Sequence, residues 1–258
     1  ACPAHSTAPP TDLASSLRGG RVDLSAAPPV DPTPAVVSAA LISASDAHCY
    51  PQTGGTPALR EAVASWFDRR RGVPDVNPDG VLPTLGSKEL VAWLPTLLGA
   101  GPGDVVAFPA LAYPTYDVGA RLAGASPQPM RSLTGLGPLT SATTPKLLWV
   151  NSPSNPTGQV LGTEHLAKVV RWAREHGVVV ASDECYAELD WRSDDPAVES
   201  VGSEGSVGSV GSLQSQTRRP GAVPSILDPQ VCDGSHEGLL AVYSLSKQSN
   251  MARSAEHT

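Results

Sequence analysis

The stretch that decides the fold is TEHLAKVVRWAREHGVVVASDECY, residues 163–186. TEHLAKVVRWAREHG (163–177) predicts an amphipathic helix, with Thr163 as its cap and Gly177 as its stop. VVVASD (178–183) predicts a short buried strand that ends on the carboxylate of Asp183. A helix that feeds directly into a short apolar strand belongs to a parallel crossover unit.

The same alternation recurs on both sides of this stretch. DVVAF (104–108), KLLWV (146–150) and LLAVYS (239–244) predict strands, and YPTYDVGARLAG (113–124) predicts a helix. An earlier helix starts at Thr56, with Pro57 in its first turn and Leu59, Val63, Trp66 and Arg70 at helical spacing. Gly72 ends it. Another begins near Ser87 and runs through Leu90, Val91 and Leu94, with Pro95 as a kink or stop. The fold class is therefore α/β with a mainly parallel sheet, and ligands are expected beyond the carboxyl ends of its strands.

Composition sets the outer bounds. The chain is 40% hydrophobic and 17% charged, which suits a globular protein with a core. Its 26 prolines and 24 glycines call for many turns and some loose segments. Residues 1–35 read as an irregular arm, and the slipped Val-Gly-Ser repeat within 194–222 reads as a flexible insertion with little to bury. Net charge is -7 with no basic stripe, so nucleic acid is not an expected partner. The Arg69-Arg70-Arg71 run falls where a helix ends, and cations there complement the helix dipole. Cys2, Cys49, Cys185 and Cys232 form no CxxC pair, which points away from zinc or a disulfide framework and toward a reducing compartment. No apolar run approaches the roughly 20 residues that span a bilayer, and the N-terminus lacks signal-peptide features. A cytoplasmic location, with no membrane partner, is the expectation.

The strand ends carry complementary chemistry. NSPSNPTG follows KLLWV and presents Asn151 and Asn155. Asp183 and Tyr186 follow VVVAS, and Ser244 and Lys247 follow LLAVY. TLGSKEL places Gly86, Ser87 and Lys88 at a helix start, where free amides and the dipole favour a phosphate. Taken singly, each is common: a glycine-serine cap, an aspartate ending a strand, a surface lysine. Together they match pyridoxal phosphate, which needs an amine for its aldehyde, a carboxylate for its ring nitrogen, donors for its ring oxygen and amides for its phosphate.

With those residues in view, the chain resembles the class I/II pyridoxal-phosphate aminotransferases of the aspartate-aminotransferase fold (fold type I). The resemblance runs in order through YPQTGGTPALREAV, LGSKEL, AYPTY, NSPSNPTGQV, SDECYAEL and YSLSKQSN, residues 50–250. Within that family it is most similar to actinobacterial N-succinyldiaminopimelate aminotransferases. The resemblance implies pyridoxal 5′-phosphate as cofactor and amino-acid and 2-oxo-acid substrates. It implies Lys247 as the Schiff-base lysine, Asp183 as partner of the ring nitrogen, and Asn155 and Tyr186 as holders of the ring 3-oxygen. Tyr113 stacks on the ring, and Gly86, Ser87, Lys88 and Ser244 bind the phosphate. Tyr50 reaches the phosphate in a neighbouring subunit, which implies a homodimer. It further implies an N-terminal arm or partial small domain at 1–49 and a cofactor-binding large domain at 50–258.

The family pattern is broken in three places. A Gly-Tyr-Arg-like segment is expected soon after the lysine, whereas SNMA is followed here by Arg253 within RSAEHT. That ending reads as a truncation that removes the C-terminal part of the small domain and the arginine for the substrate carboxylate. Ala27 stands where relatives usually carry glycine. The expected activity is transamination between N-succinyl-L,L-diaminopimelate and 2-oxoglutarate in lysine biosynthesis. The alternatives are a non-catalytic remnant of such an enzyme, or another reaction of the same cofactor, such as elimination or decarboxylation.

Overall fold

The computed structural model describes residues 32–46, 48, 50–189 and 223–247. The 194–222 insertion, Ala27, Cys2, Cys49 and Arg253 lie outside the described residues. Five strands form one sheet: β1 (Val105–Pro109), β2 (Ser126–Met130), β3 (Pro145–Asn151), β4 (Val179–Asp183) and β5 (Leu239–Val242). Every pairing is parallel, in the order β2-β1-β3-β4-β5. All carboxyl ends therefore meet on one edge. The chain reverses its direction of growth between β1 and β3, which is where an open α/β sheet leaves a crevice for ligands.

Six α-helices accompany the sheet among the described residues. These are α1 (Ala35–Ser43), α2 (Pro57–Trp66), α3 (Ser87–Leu97), α4 (Thr115–Leu122), α5 (Thr163–His176) and the short α6 (Pro229–Cys232). None is long and apolar enough to cross a membrane. One sheet face packs Val106, Phe108, Leu147, Trp149 and Ala181 against Val91 and Leu94 of α3 and Tyr116 and Ala120 of α4. The other packs Ala107, Leu148, Val150 and Val180 against Leu166, Val169, Val170 and Ala173 of α5. Burial on both faces explains why the strands read as continuous apolar runs rather than alternating ones. Each fully buried Leu or Val side chain contributes about 1.5–3 kcal/mol.

The structure differs from expectation at several boundaries. β2 is not predicted because SPQPM is poor strand sequence. It lies at the sheet edge, where proline is tolerated, and exists by pairing with β1. Pro95 does not stop α3, which continues to Leu97. Proline cannot donate to the Val91 carbonyl, and the place where a Gly119 Cβ would sit lies 2.9 Å from that oxygen. Residue 119 therefore has to be glycine for α3 and α4 to approach this closely. Gly162, not Thr163, occupies the cap position of α5, while Gly177 ends it in the left-handed conformation as expected. α4 is shorter than 113–124, because Pro114 takes the cap position and leaves Tyr113 outside the helix. α1 begins where the irregular arm was expected to end.

α2 follows its sequence closely. Thr56 Oγ1 accepts from the Leu59 amide at 3.2 Å, and Gly72 adopts φ 63° at the end. Before Gly72 the helix widens into a π-helical turn, Phe67–Arg71, which buries Phe67 and Arg71.

Candidate active site

The register of the central strands sets the site. Asn151 ends β3 opposite Asp183 at the end of β4, and Asp183 lies opposite Val242 in β5. The Asn151 side chain is buried and used internally. Its Nδ2 donates to the Asp183 carbonyl (2.9 Å) and the Pro153 carbonyl (3.1 Å), and its Oδ1 accepts from the Asn155 amide (2.7 Å). Asn151 thus fastens the turn that carries Asn155.

The Asp183 carboxylate is buried and held from two sides. Tyr116 Oη donates to Oδ2 at 2.7 Å, and the Cys185 amide donates to Oδ1 at 3.2 Å. A carboxylate has about four acceptor sites, so it can still receive another N–H. Tyr116 is completely buried and stacks on Trp149, with ring centroids 4.9 Å apart. Burial first, and then the Asp183 charge, push its phenol far above the ordinary range, so it remains a donor.

Tyr186 follows in the same turn. Its phenol is also raised, chiefly by burial. Lys247 Nζ stands 5.8 Å from the centre of the Tyr186 ring. Lys247 itself is exposed, and the turn that presents it is held by a Ser244 Oγ to Ser246 Oγ contact of 2.6 Å.

The start of α3 closes the group. Ser87 lies beside the buried Cys185 thiol, which burial pushes well above its usual range. Gly86 has φ 115° and open space where a Cβ would stand, and no side chain caps this helix. The first amides of α3 are therefore available to an anion. Tyr113 meets Tyr116 edge to face at 6.1 Å. Lys88 is exposed, and Tyr50 is 99% exposed.

Amine, carboxylate, phenol, amide and glycine cradle thus converge at one sheet edge, a donor set that fits pyridoxal phosphate. The family model for aminotransferase class I and II matches residues 22–254. The chain belongs to this family. Class I and II aminotransferases use pyridoxal 5′-phosphate. Two curated relatives are each 50% identical. One is 4-dedimethylamino-4-oxo-anhydrotetracycline transaminase OxyQ of Streptomyces rimosus, matched over 90% of this chain and 56% of its own length. The other is the probable aminotransferase Rv1178 of Mycobacterium tuberculosis, matched over 93% and 50%. The chain therefore spans about half the length of these relatives. A probable N-succinyldiaminopimelate aminotransferase from Thermus thermophilus superposes with a TM-score of 0.67 at 26% identity, over 90% of this chain and 56% of that one. The fold is accordingly the aspartate-aminotransferase-like type I fold, represented in part.

Two features of this aminotransferase chain escape sequence reasoning. In AYPTY the resemblance points to Tyr113 and not to Tyr116, although the spacing of Tyr116 from Gly119 and Ala120 puts it on the inward face of α4. A buried phenol needs a partner, and that need was the available signal. The arginine run does more than complement the helix dipole. In the structure Arg70 pairs with Glu188, and Arg71 Nη2 donates to Glu184 Oε2 at 3.1 Å. Both partners lie in the turn that carries Tyr186.

Proposed function

We propose that this chain carries the cofactor-holding part of an aminotransferase, with residues 50–258 as its large domain. The observation that supports this best is the doubly held Asp183 carboxylate, with Lys247 on the neighbouring strand end above Tyr186. Lys247 would be the amine that holds the cofactor aldehyde, and its Nζ would be the group that takes up and returns a proton at the amino-acid α-carbon. Asp183 accepts the ring N–H, and Asn155 with Tyr186 holds the ring 3-oxygen. Tyr113 covers a ring face. Gly86, Ser87, Lys88 and Ser244 hold the phosphate. Tyr50, exposed here, serves a neighbouring subunit in a homodimer. When bound, pyridoxal phosphate supplies an electron sink for the α-carbon and a carrier for the amino group.

The substrates that fit the resemblance are N-succinyl-L,L-diaminopimelate and 2-oxoglutarate, with likeness to the Thermus thermophilus protein as further support. A second reading is favoured by the relative from Streptomyces rimosus, whose name specifies an oxo-anhydrotetracycline. On that reading the amino acceptor is a ring ketone.

The test begins with pyridoxal phosphate added to the purified chain. A new absorbance band is expected that borohydride abolishes, leaving the cofactor fixed on Lys247, and that is missing from Lys247→Ala. Equal spectra for both proteins would overturn the site. Keto-acid release from the succinylated diamine, against amination of a polycyclic ketone, separates the substrates. Ammonia or carbon dioxide release instead would assign the chain to a different reaction of the cofactor.

A further inference from the structure

Glu184 follows Asp183 directly, its side chain is only 1% exposed, and the chemistry above leaves it without a task. Its Oε2 accepts from Arg71 Nη2 at 3.1 Å. Its Oε1 accepts from Ser225 Oγ at 3.1 Å and from the Ile226 amide at 2.8 Å. Its own amide donates to the Val242 carbonyl at 2.8 Å, and its carbonyl accepts from the Ala187 amide at 3.0 Å. Four parts of the chain meet at this one residue: the end of α2, the end of β4, the end of β5 and the segment around Ser225.

Stability alone is a poor reason for this arrangement. Two charges buried together lose their hydration, and an apolar pair of similar volume is often as stable or more so. The pair is not even fully satisfied, because Arg71 Nε is buried without a hydrogen-bond partner. What the arrangement does achieve is placement. Arg71 and Arg70 grip Glu184 and Glu188, on either side of Cys185 and Tyr186. From the same helix end, Trp66 packs on Tyr243 with ring centroids 4.5 Å apart, one residue before Ser244. A single helix end thus braces both strand ends that present Asp183 and Lys247.

We infer that Glu184, held by Arg71, is a positioning residue that sets the spacing between the Asp183 carboxylate and the Lys247 amine. It acts through the backbone of the 183–187 turn and touches no part of the cofactor. The inference rests on the proposed roles of Asp183 and Lys247.

The test is the full chain carrying Arg71→Met together with Glu184→Met, an exchange that leaves no lone buried charge. Because the exchange leaves the buried Ser225 hydroxyl and Ile226 amide without their acceptor, its thermal midpoint is expected to fall modestly while the chain still folds. Its dissociation constant for pyridoxal phosphate, read by tryptophan quenching, should rise about 10-fold or more. The pH midpoint of the Lys247-dependent absorbance band should shift as well. A folded double variant with wild-type affinity and pH midpoint would overturn the inference and make the pair merely structural. Should the double variant not fold, Arg71→Lys keeps the charge but loses the guanidinium geometry. A folded Arg71→Lys chain is expected to bind the cofactor several-fold more weakly, and unchanged affinity there overturns the inference too. A wild type lacking the Lys247-dependent band would instead remove the site roles on which the inference stands.

Discussion

The phenol of Tyr116 and the carboxylate of Asp183 lie 67 positions apart in sequence and are joined by a 2.7 Å hydrogen bond at the floor of the site. The bond connects α4 on one face of the sheet to the end of a central strand. It also makes the stack of Tyr116 on Trp149 part of what holds the Asp183 carboxylate in place.

Tyr116→Phe keeps the ring and its stack but removes the donor to Asp183 Oδ2. A hydrogen bond to a charged group contributes about 1.5–3 kcal/mol, so denaturant unfolding should show a loss of that size. Pyridoxal phosphate affinity should fall in parallel. Unchanged stability and unchanged affinity would together show that the bond matters for neither.

Gly119→Ala should separate α3 from α4. Alanine improves intrinsic helix propensity by about 1 kcal/mol. Its Cβ, however, would lie 2.9 Å from the Val91 oxygen and 3.0 Å from the Ala92 oxygen, both of them backbone atoms. Overpacking of this kind costs about 1–3 kcal/mol, and the backbone cannot rotate aside as a side chain can. The net effect expected in a thermal melt is destabilisation, and a raised midpoint would contradict it.

Alkaline pH should weaken the fold through its tyrosines. The phenols of Tyr116, Tyr186 and Tyr243 are all raised, chiefly by burial. Below about pH 10 the folded and unfolded chains both keep these protons, so the contribution is fully present there. Above it the unfolded chain releases protons that the folded chain retains, and stability falls as pH climbs toward the folded values. Urea midpoints between pH 8 and pH 11 should decline at the upper end, and Tyr186→Phe should flatten part of that decline.

Thiol labelling should separate folded from unfolded chain at two positions. Cys185 and Cys232 are buried free cysteines, and burial raises both thiols. Reactivity follows the thiolate, so both should resist a maleimide at neutral pH and label fully in denaturant. Rapid native labelling of Cys185 would mean that the base of the site opens to solvent.

Much of the architecture was legible locally. β1, β3, β4 and β5 announce themselves because burial on both faces demands uninterrupted apolar runs. Thr56 and Gly72 bound the second helix with local hydrogen bonding and left-handed geometry that those residue types favour. β2 was not legible, since its prolines argue against a strand and only β1 makes it one. Asp183 and Lys247 stood out by residue type and by position at strand ends.

The amino-acid sequence by itself determined which polar groups reach the carboxyl edge of the sheet and which strands deliver them, because both depend on residue type and short-range pattern. Tertiary structure alone decided which of those groups are joined. Arg71 at a helix end looks the same in sequence whether it is solvated or paired, and its partner Glu184 lies 113 positions away. The spacing of Tyr116 in α4 turns it inward but does not name Asp183, 67 positions away, as its partner. Contacts of that range come from how helices and strands dock, and no local preference encodes them.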